Sequence, residues 1–301
     1  MYSRWYNVAV VLLWLAAMSW LMVEKVLPPL QIGHPPSYGS ILAAQGREPP
    51  VGWRMTFNGR PLGWALSTMA QLPTEITEIH SHVHFDELPL REMAPGWLGQ
   101  LVDEPVAHLG MEAHSALSID PLGRLASFRS TLRINPLHDA IKLQGNVDGN
   151  RLKLIVGTGG LTYTTDVYLP PNALLGDALS PQTQLPGLRM GQSWTVPVYS
   201  PLRPPNSPIE VLQATVESRD RISWDGRTET AWLVVYRTDR GYGLGNDEKP
   251  RAKLWVRQDG TVLKQQVVIF NSRMTFYRLP ENEAAALAER VGTGEDTMRR
   301  R

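Results

Sequence analysis

Short turn signals between runs of alternating apolar and polar residues constrain the fold of this 301-residue chain more than any other feature. Gly after Asn or Asp tolerates the positive φ that a tight hairpin turn requires. Six turn signals each join two alternating runs. Four are Asn-Gly or Asp-Gly pairs, at Asn58-Gly59, Asp148-Gly149, Asp225-Gly226 and Asp259-Gly260, and the other two are Asp120-Pro121-Leu122-Gly123 and Gly159-Gly160. Short turns connect antiparallel neighbours, because a parallel connection needs a crossover of a dozen or more residues.

The sequence therefore predicts a mainly β protein, built as one large antiparallel curved sheet or an open barrel-like meander. We expect residues 51–291 to form this sheet as one extracytoplasmic β domain, since β domains of about 200–250 residues are common. Residues 170–186 are loop-like, but no shift in charge or composition marks a second domain there.

One short C-terminal helix is predicted after Pro280. Proline suits the first turn of a helix, and Glu281 and Glu283 favour its positively polarised start. Apolar residues at helical spacing follow. We expect Gly292 to end the helix, and residues 292–301, which close with three arginines, to form a disordered basic tail.

Residues 5–23 form a charge-free run of nineteen residues near the N-terminus. At 1.5 Å per residue, a helix of this length spans about 28 Å, close to the hydrocarbon thickness of a bilayer. We therefore expect a single-pass transmembrane helix that serves as a signal-anchor over residues 1–26. One alternative is a cleaved signal peptide with Ala17 and Ser19 before the cut, although apolar sequence continues past them. The other is a buried helix of a globular domain.

The charges around this run predict the location of the rest of the chain. Arg4 and the amino terminus precede the run, whereas Glu24 and Lys25 nearly cancel after it. This bias favours a cell-membrane protein with a cytoplasmic N-terminus and an extracytoplasmic, periplasmic-type C-terminal domain. Residues 27–50 contain six prolines and are predicted to be a stiff Pro-rich stalk.

Composition excludes several classes of site and partner. The chain has no cysteine, so disulfides, Cys-ligated zinc, iron–sulfur clusters and a cysteine nucleophile are excluded. Beyond residue 26 the basic and acidic residues are equal in number. A neutral domain lacks the broad positive field that nucleic-acid binding requires, so we expect no nucleic-acid partner.

One strand carries the sharpest candidate for chemistry. Alternation along a strand places His80, His82, His84 and Asp86 on one face. Imidazoles bind zinc and copper, but three of them on one strand lie too far apart to share an ion. A site would use two of these histidines and a ligand from elsewhere, with Asp86, His108 or His114 as candidates. The preferred interpretation is a solvated polar face without a metal or another cofactor.

Two segments resemble a known class of proteins. The segment Leu188–Val196 reads L-R-M-G-Q-S-W-T-V and resembles the G-x-x-W-x-V strand entry of bacterial extracytoplasmic β-rich domains of unknown function. The segment Trp255–Lys264 reads W-V-R-Q-D-G-T-V-L-K and resembles their W-V-x-x-D-G-x-V-L-K hairpin. The resemblance covers residues 185–280. The resemblance implies a lipoprotein-carrier-like curved sheet of the kind associated with transglutaminase-like proteins. It implies no catalytic residue in this chain.

The sequence leaves three functions open. It contains no G-x-S-x-G elbow, phosphate-binding P-loop or H-E-x-x-H motif, so a membrane-anchored binding or scaffold module is preferred over an enzyme. The first alternative is a metal-dependent hydrolase that uses His80, His82 and His84. The second is a carrier that holds an apolar ligand on the concave face of the sheet. A binding or scaffold module implies a protein partner or an apolar ligand, and a carrier implies an apolar ligand.

The membrane prediction is tested by fractionation of cells that express the full-length chain. We expect the intact chain to stay in the membrane pellet after a carbonate wash, because a spanning helix resists extraction that removes peripheral proteins. A soluble product whose N-terminus lies near residue 20 would instead identify a cleaved signal peptide.

Overall fold

The structure is a computed structural model that describes residues 4–22, 49–89, 108–135, 137–170, 174–175, 181–199, 209–238, 249–269 and 272–299. The predicted stalk lies almost wholly outside the described residues, as do residues 300–301 of the predicted tail. Helix α1 spans Arg4–Leu21. Among the described residues, no helix has both the length and the apolar character that a membrane crossing requires.

Within the described residues, fifteen strands, one of them only two residues long, form a single sheet. Their bounds are Val51–Phe57 (β1), Arg60–Gln71 (β2), Thr77–Pro89 (β3), His108–Ile119 (β4), Leu125–Asn135 (β5), Leu137–Asp148 (β6), Arg151–Thr158 (β7), Leu161–Tyr168 (β8), Leu174–Leu175 (β9), Ser193–Tyr199 (β10), Ile209–Trp224 (β11), Arg227–Thr238 (β12), Ala252–Val256 (β13), Val262–Ile269 (β14) and Ser272–Arg278 (β15).

The strand order confirms a mainly antiparallel open sheet. It runs β8-β7-β6-β5-β4-β3-β2-β1-β15-β14-β13-β12-β11-β10-β9. Each of the six turn signals lies between two neighbouring antiparallel strands. In the part of the chain that the structure describes, the short β9 is the one strand that pairs in parallel, with β10. Asn58 and Asp225 have positive φ (48° and 50°), which is the conformation that such turns demand.

One face of the sheet, here called the inner face, holds the main core. Large side chains such as Trp53, Met55, Phe85 and Phe276 are fully buried there. The same cluster contains residues of β3 and β4 and residues of β10 and β11, which lie far apart in the strand order. The sheet must therefore curve so that its inner face closes on itself.

Helix α2 packs on the opposite face, here called the outer face. It spans Glu281–Arg299, and its Ala284 and Leu287 are buried. A Cβ on Gly52 of β1 would lie 3.0 Å from Leu279 Cδ1 and 3.2 Å from Ala284. The absence of that Cβ allows the helix to approach the strand closely.

The predicted end of this helix at Gly292 is wrong. The backbone of Gly292 is not left-handed, and the helix continues to Arg299. A glycine inside a helix costs about 1 kcal/mol relative to alanine, so it weakens a helix but ends it only when it adopts a left-handed C-terminal turn. Residues 293–299 thus belong to α2 and not to a disordered tail.

A second core cluster supplies a stability test. Gly145 of β6 lies directly opposite Phe128 of β5, whose ring is 2% exposed. A Cβ at Gly145 would lie 2.1 Å from Phe128 Cε1, so the ring covers the glycine. We expect Gly145→Ala to lower the free energy of unfolding by about 1–3 kcal/mol, the usual cost of overpacking. Urea unfolding followed by tryptophan fluorescence measures this loss.

The matched control is Gly157→Ala on β7, where the nearest atom to an added Cβ is 3.9 Å away. This substitution should change stability by no more than about 0.5 kcal/mol. Adding Phe128→Leu to Gly145→Ala should restore part of the loss, because the smaller side chain vacates the space. Equal effects of the two glycine substitutions would contradict the packing described.

Candidate functional site on the outer face

The histidines of β3 lie on the outer face because the strand alternates as predicted. The strand buries Ser81, Val83 and Phe85 on its inner side. The alternate residues His80, His82 and His84 are not buried. The side chain of His80 is 48% exposed, whereas that of His82 is 14% exposed. The three imidazoles therefore do not share one environment, and His82 is the most enclosed.

Strand β4 brings two further polar side chains to the same place. The antiparallel register puts His114 directly opposite His82 and Glu112 directly opposite His84. Directly opposed residues have Cβ atoms about 4.5–5.5 Å apart, so their side chains meet. The rings of His82 and His114 lie side by side, with centroids 3.9 Å apart.

The carboxylate of Glu112 is the centre of this cluster. Its Oε1 lies 3.6 Å from Nε2 of His82 and 3.6 Å from Nδ1 of His84, and its Oε2 lies 4.0 Å from Nε2 of His114. The side chain of Glu112 is 30% exposed, so water and small ions can reach it. The carboxylate of Glu112 thus lies within 4.0 Å of three imidazoles.

Three of these side chains converge closely enough to share an ion. The ligand atoms of His82, Glu112 and His114 all lie within 4.8 Å of one another. Zinc binds imidazole nitrogen and carboxylate oxygen at about 2.0–2.2 Å in tetrahedral geometry, which needs ligand atoms somewhat closer together than these. Rotation of these partly exposed side chains can shorten the distances between their ligand atoms to the values that zinc requires. We call His82, Glu112 and His114 the outer-face cluster.

The structure separates the residues that the sequence proposed for this site. His82 and His114 meet across two strands, while His80 lies opposite Ala116 and its Nε2 is 3.2 Å from Glu78. His84 contacts Glu112 and also Asp86, at 3.4 Å from Nε2 to Oδ1. Nothing is described of the side chain of His108. The site therefore draws on two strands, not on a row of three histidines along one.

Sequence reasoning missed Glu112. The residue lies two positions before His114, so alternation places both on one face of β4. A search for acidic residues spaced by two from each candidate histidine would have found it. What the sequence could not supply was the register that sets His82 opposite His114.

Strand β2 holds the other side of the site. Trp64 lies directly opposite His84; its ring stacks on His84 with centroids 5.5 Å apart and meets the edge of His82 at 4.8 Å. The adjacent Gly63 has a φ of 148°, and a Cβ there would lie 2.0 Å from the carbonyl oxygen of His84. Only glycine allows this approach of β2 to β3, so Gly63 helps to fix the position of His84.

No protein-family model and no curated protein matches this chain. Among solved structures, one similar chain is described as a β-barrel-like protein of the domain of unknown function DUF1849 from Brucella abortus. It is 10% identical, with a TM-score of 0.43, over 76% of this chain and 95% of that one. A DUF1089 family protein from Pseudomonas aeruginosa is 16% identical, with a TM-score of 0.33, over 66% and 87% of the two chains.

These neighbours agree with the expected class, a β-rich domain of unknown function, only in that broad sense. TM-scores this low carry no argument about the site or the function. The predicted link to transglutaminase-like proteins has no counterpart in these matches.

Proposed function

We propose that this protein is a binding module, not an enzyme, and that the outer-face cluster holds a zinc or copper ion. The convergence of His82, Glu112 and His114 within 4.8 Å carries the proposal. Two imidazoles and one carboxylate are ligands that both ions accept. The three residues come from two hydrogen-bonded strands, which restrict their movement relative to one another.

The charges in the cluster also support a cation. Directly opposed His82 and His114 would repel each other if both were protonated, because their rings are 3.9 Å apart. A divalent ion needs both imidazoles neutral, and it interacts favourably with the single negative charge of Glu112. The cluster thus offers a divalent ion two imidazole nitrogens and one carboxylate.

The position of His84 bears on the choice between binding and catalysis. Its Nδ1 lies 3.6 Å from the same Glu112 oxygen that His82 approaches, so it lies beside the three convergent ligands. A site with four protein ligands is closed, whereas a catalytic zinc site keeps one position for water. His84 is not among the three convergent residues, so it closes the site only when its side chain rotates toward the ion, and the hydrolysis assay below distinguishes the two functions.

The carrier alternative depends on space at the concave side of the sheet. Trp53, Phe85 and Phe276 are fully buried on the inner face and occupy its centre. A filled core favours recognition on the outer face. Attachment of the module to a membrane through residues 5–23, and its extracytoplasmic location, remain predictions from the sequence.

Zinc titration of the full-length chain by isothermal calorimetry tests the proposal. We expect one zinc ion per chain, and we expect His82→Gln and His114→Gln each to weaken binding by more than about 100-fold. The loss should exceed the roughly 10–100-fold that removal of a supporting residue costs, because each substitution deletes a ligand. Zinc at 100 times its dissociation constant should stabilise the folded state by about 2.7 kcal/mol, and a chelator should reverse this.

His80→Gln is the matched control, because His80 lies on the same strand and face but opposite Ala116. This variant should bind zinc with wild-type affinity. Loss of binding in His80→Gln equal to that in His82→Gln, or substoichiometric zinc and copper in the wild-type chain, would refute the proposal. Zinc-dependent ester or peptide hydrolysis that disappears with His114→Gln would support the hydrolase in its place.

A further inference from the structure

A row of directly opposed side chains crosses the outer face beyond the outer-face cluster. From β2 to β13 the register pairs Trp64 with Arg54, Arg54 with Tyr277, Tyr277 with Lys264, and Lys264 with Trp255. We call these five residues the aromatic–cation row. With strands about 4.8 Å apart, the row is about 19 Å long from Trp64 to Trp255. Aromatic and cationic side chains alternate along its whole length.

The four strands β1, β13, β14 and β15 contain no Asp or Glu. Alternation places four of their cations on the outer face: Arg54 and Lys264 in the row, and Lys253 and Arg273 beside it. Gln266 and Thr275 share this face, with Gln266 Nε2 3.3 Å from Thr275 Oγ1. These four strands therefore contribute only cations to the outer face, and the carboxylates of Glu281 and Glu283 on the same face belong to the first turn of helix α2.

Lys264 is held between two aromatic rings. Its Nζ lies 4.4 Å from the ring centroid of Trp255 and 5.3 Å from that of Tyr277. Burial, and after it the charge of Arg273, lower the pKa of Lys264. An anion beside this ammonium group would relieve both effects, because it would restore the interactions lost from water and oppose the charge of Arg273.

Trp255 is fixed from its other side by Asp220 of β11. The indole Nε1 donates a hydrogen bond of 3.0 Å to Oδ2 of Asp220, whose Oδ1 accepts one of 2.8 Å from Ser218 Oγ. This carboxylate lies on the far side of Trp255 from Lys264 in the strand order. Asp220 thus orients the ring from β11. The strands that carry the cations of the row have no carboxylate of their own.

We propose that the aromatic–cation row binds a linear polysaccharide of acidic sugars, with Arg54 and Lys264 each pairing with a carboxylate of the polymer. The charge on the four strands requires an anionic ligand, and the length of the row requires an elongated one. The rings of Trp255 and Tyr277 hold the ammonium group of Lys264 between them, where a carboxylate of the polymer can pair with it. The row meets the outer-face cluster at Trp64, whose ring contacts His82, but it does not depend on a metal ion there.

Single-stranded nucleic acid also combines rings with negative charges, but this row suits it less. Nucleic-acid sites stack bases on the faces of aromatic side chains. Here the ammonium group of Lys264 lies over the rings of Trp255 and Tyr277. It therefore occupies the ring faces on which a base would have to stack. A carboxylate can pair with that ammonium group directly.

Calorimetry with a galacturonic acid oligomer of about eight units tests the proposal on the full-length chain. We expect saturable binding that weakens about tenfold in Lys264→Met and in Arg54→Gln, since each removes one charge-assisted contact. The methionine keeps the apolar stem between the rings. Arg151→Gln, which removes an exposed arginine from β7, should bind as the wild type does.

Two ligands serve as controls. The fully methyl-esterified oligomer keeps the sugar chain but lacks the charges, so it should not bind measurably. Equal binding of the ester, no binding of the acid, or tighter binding of a thymidine oligonucleotide would each overturn the proposal. Because the variants leave His82, Glu112 and His114 unchanged, their zinc binding should stay at the wild-type level, and this separates the two proposals.

Discussion

The register between β3 and β4 is the constraint on which the outer face depends. It sets His82 opposite His114 and His84 opposite Glu112, while Val83 and Phe85 pack inward. A slip of one residue would move every side chain of β3 to the other face. The buried residues of the inner face prevent such a slip, because it would place imidazoles in the apolar core. Core packing on one face therefore fixes the chemistry on the other.

The two faces of the sheet have separate roles. The inner face is filled with fully buried aromatic and aliphatic side chains, which stabilise the curved sheet. The outer face carries the outer-face cluster on β3 and β4 and the aromatic–cation row across β2 to β13. One continuous antiparallel sheet allows both surfaces, since each strand contributes alternate residues to each face.

The antiparallel sheet was predictable from the sequence because the turn pairs that connect its strands are local signals. Pairs such as Asn58-Gly59 and Asp225-Gly226 mark turns by their own backbone preference, and both lie between adjacent strands in the structure. The end of helix α2 was less predictable, because Gly292 permits a left-handed turn without requiring one.

The outer-face cluster was only half predictable. Alternation placed His82 and His84 on one face, and His114 was among the candidates for a ligand from elsewhere. The pairing of His82 with His114, and the central position of Glu112, depend on which residues of β3 and β4 are opposite. Register is set by the whole packed sheet and by the bulge between Phe85 and Leu88, so no short segment of sequence contains it.

X-ray absorption at the zinc edge tests the central claim most directly. With one equivalent of zinc on the full-length chain, the account predicts a first shell of nitrogen and oxygen and multiple scattering from at least two imidazoles. His114→Gln should reduce the imidazole signal, and His80→Gln should leave it unchanged. A spectrum of hydrated zinc with six oxygen neighbours and no imidazole scattering would contradict the account.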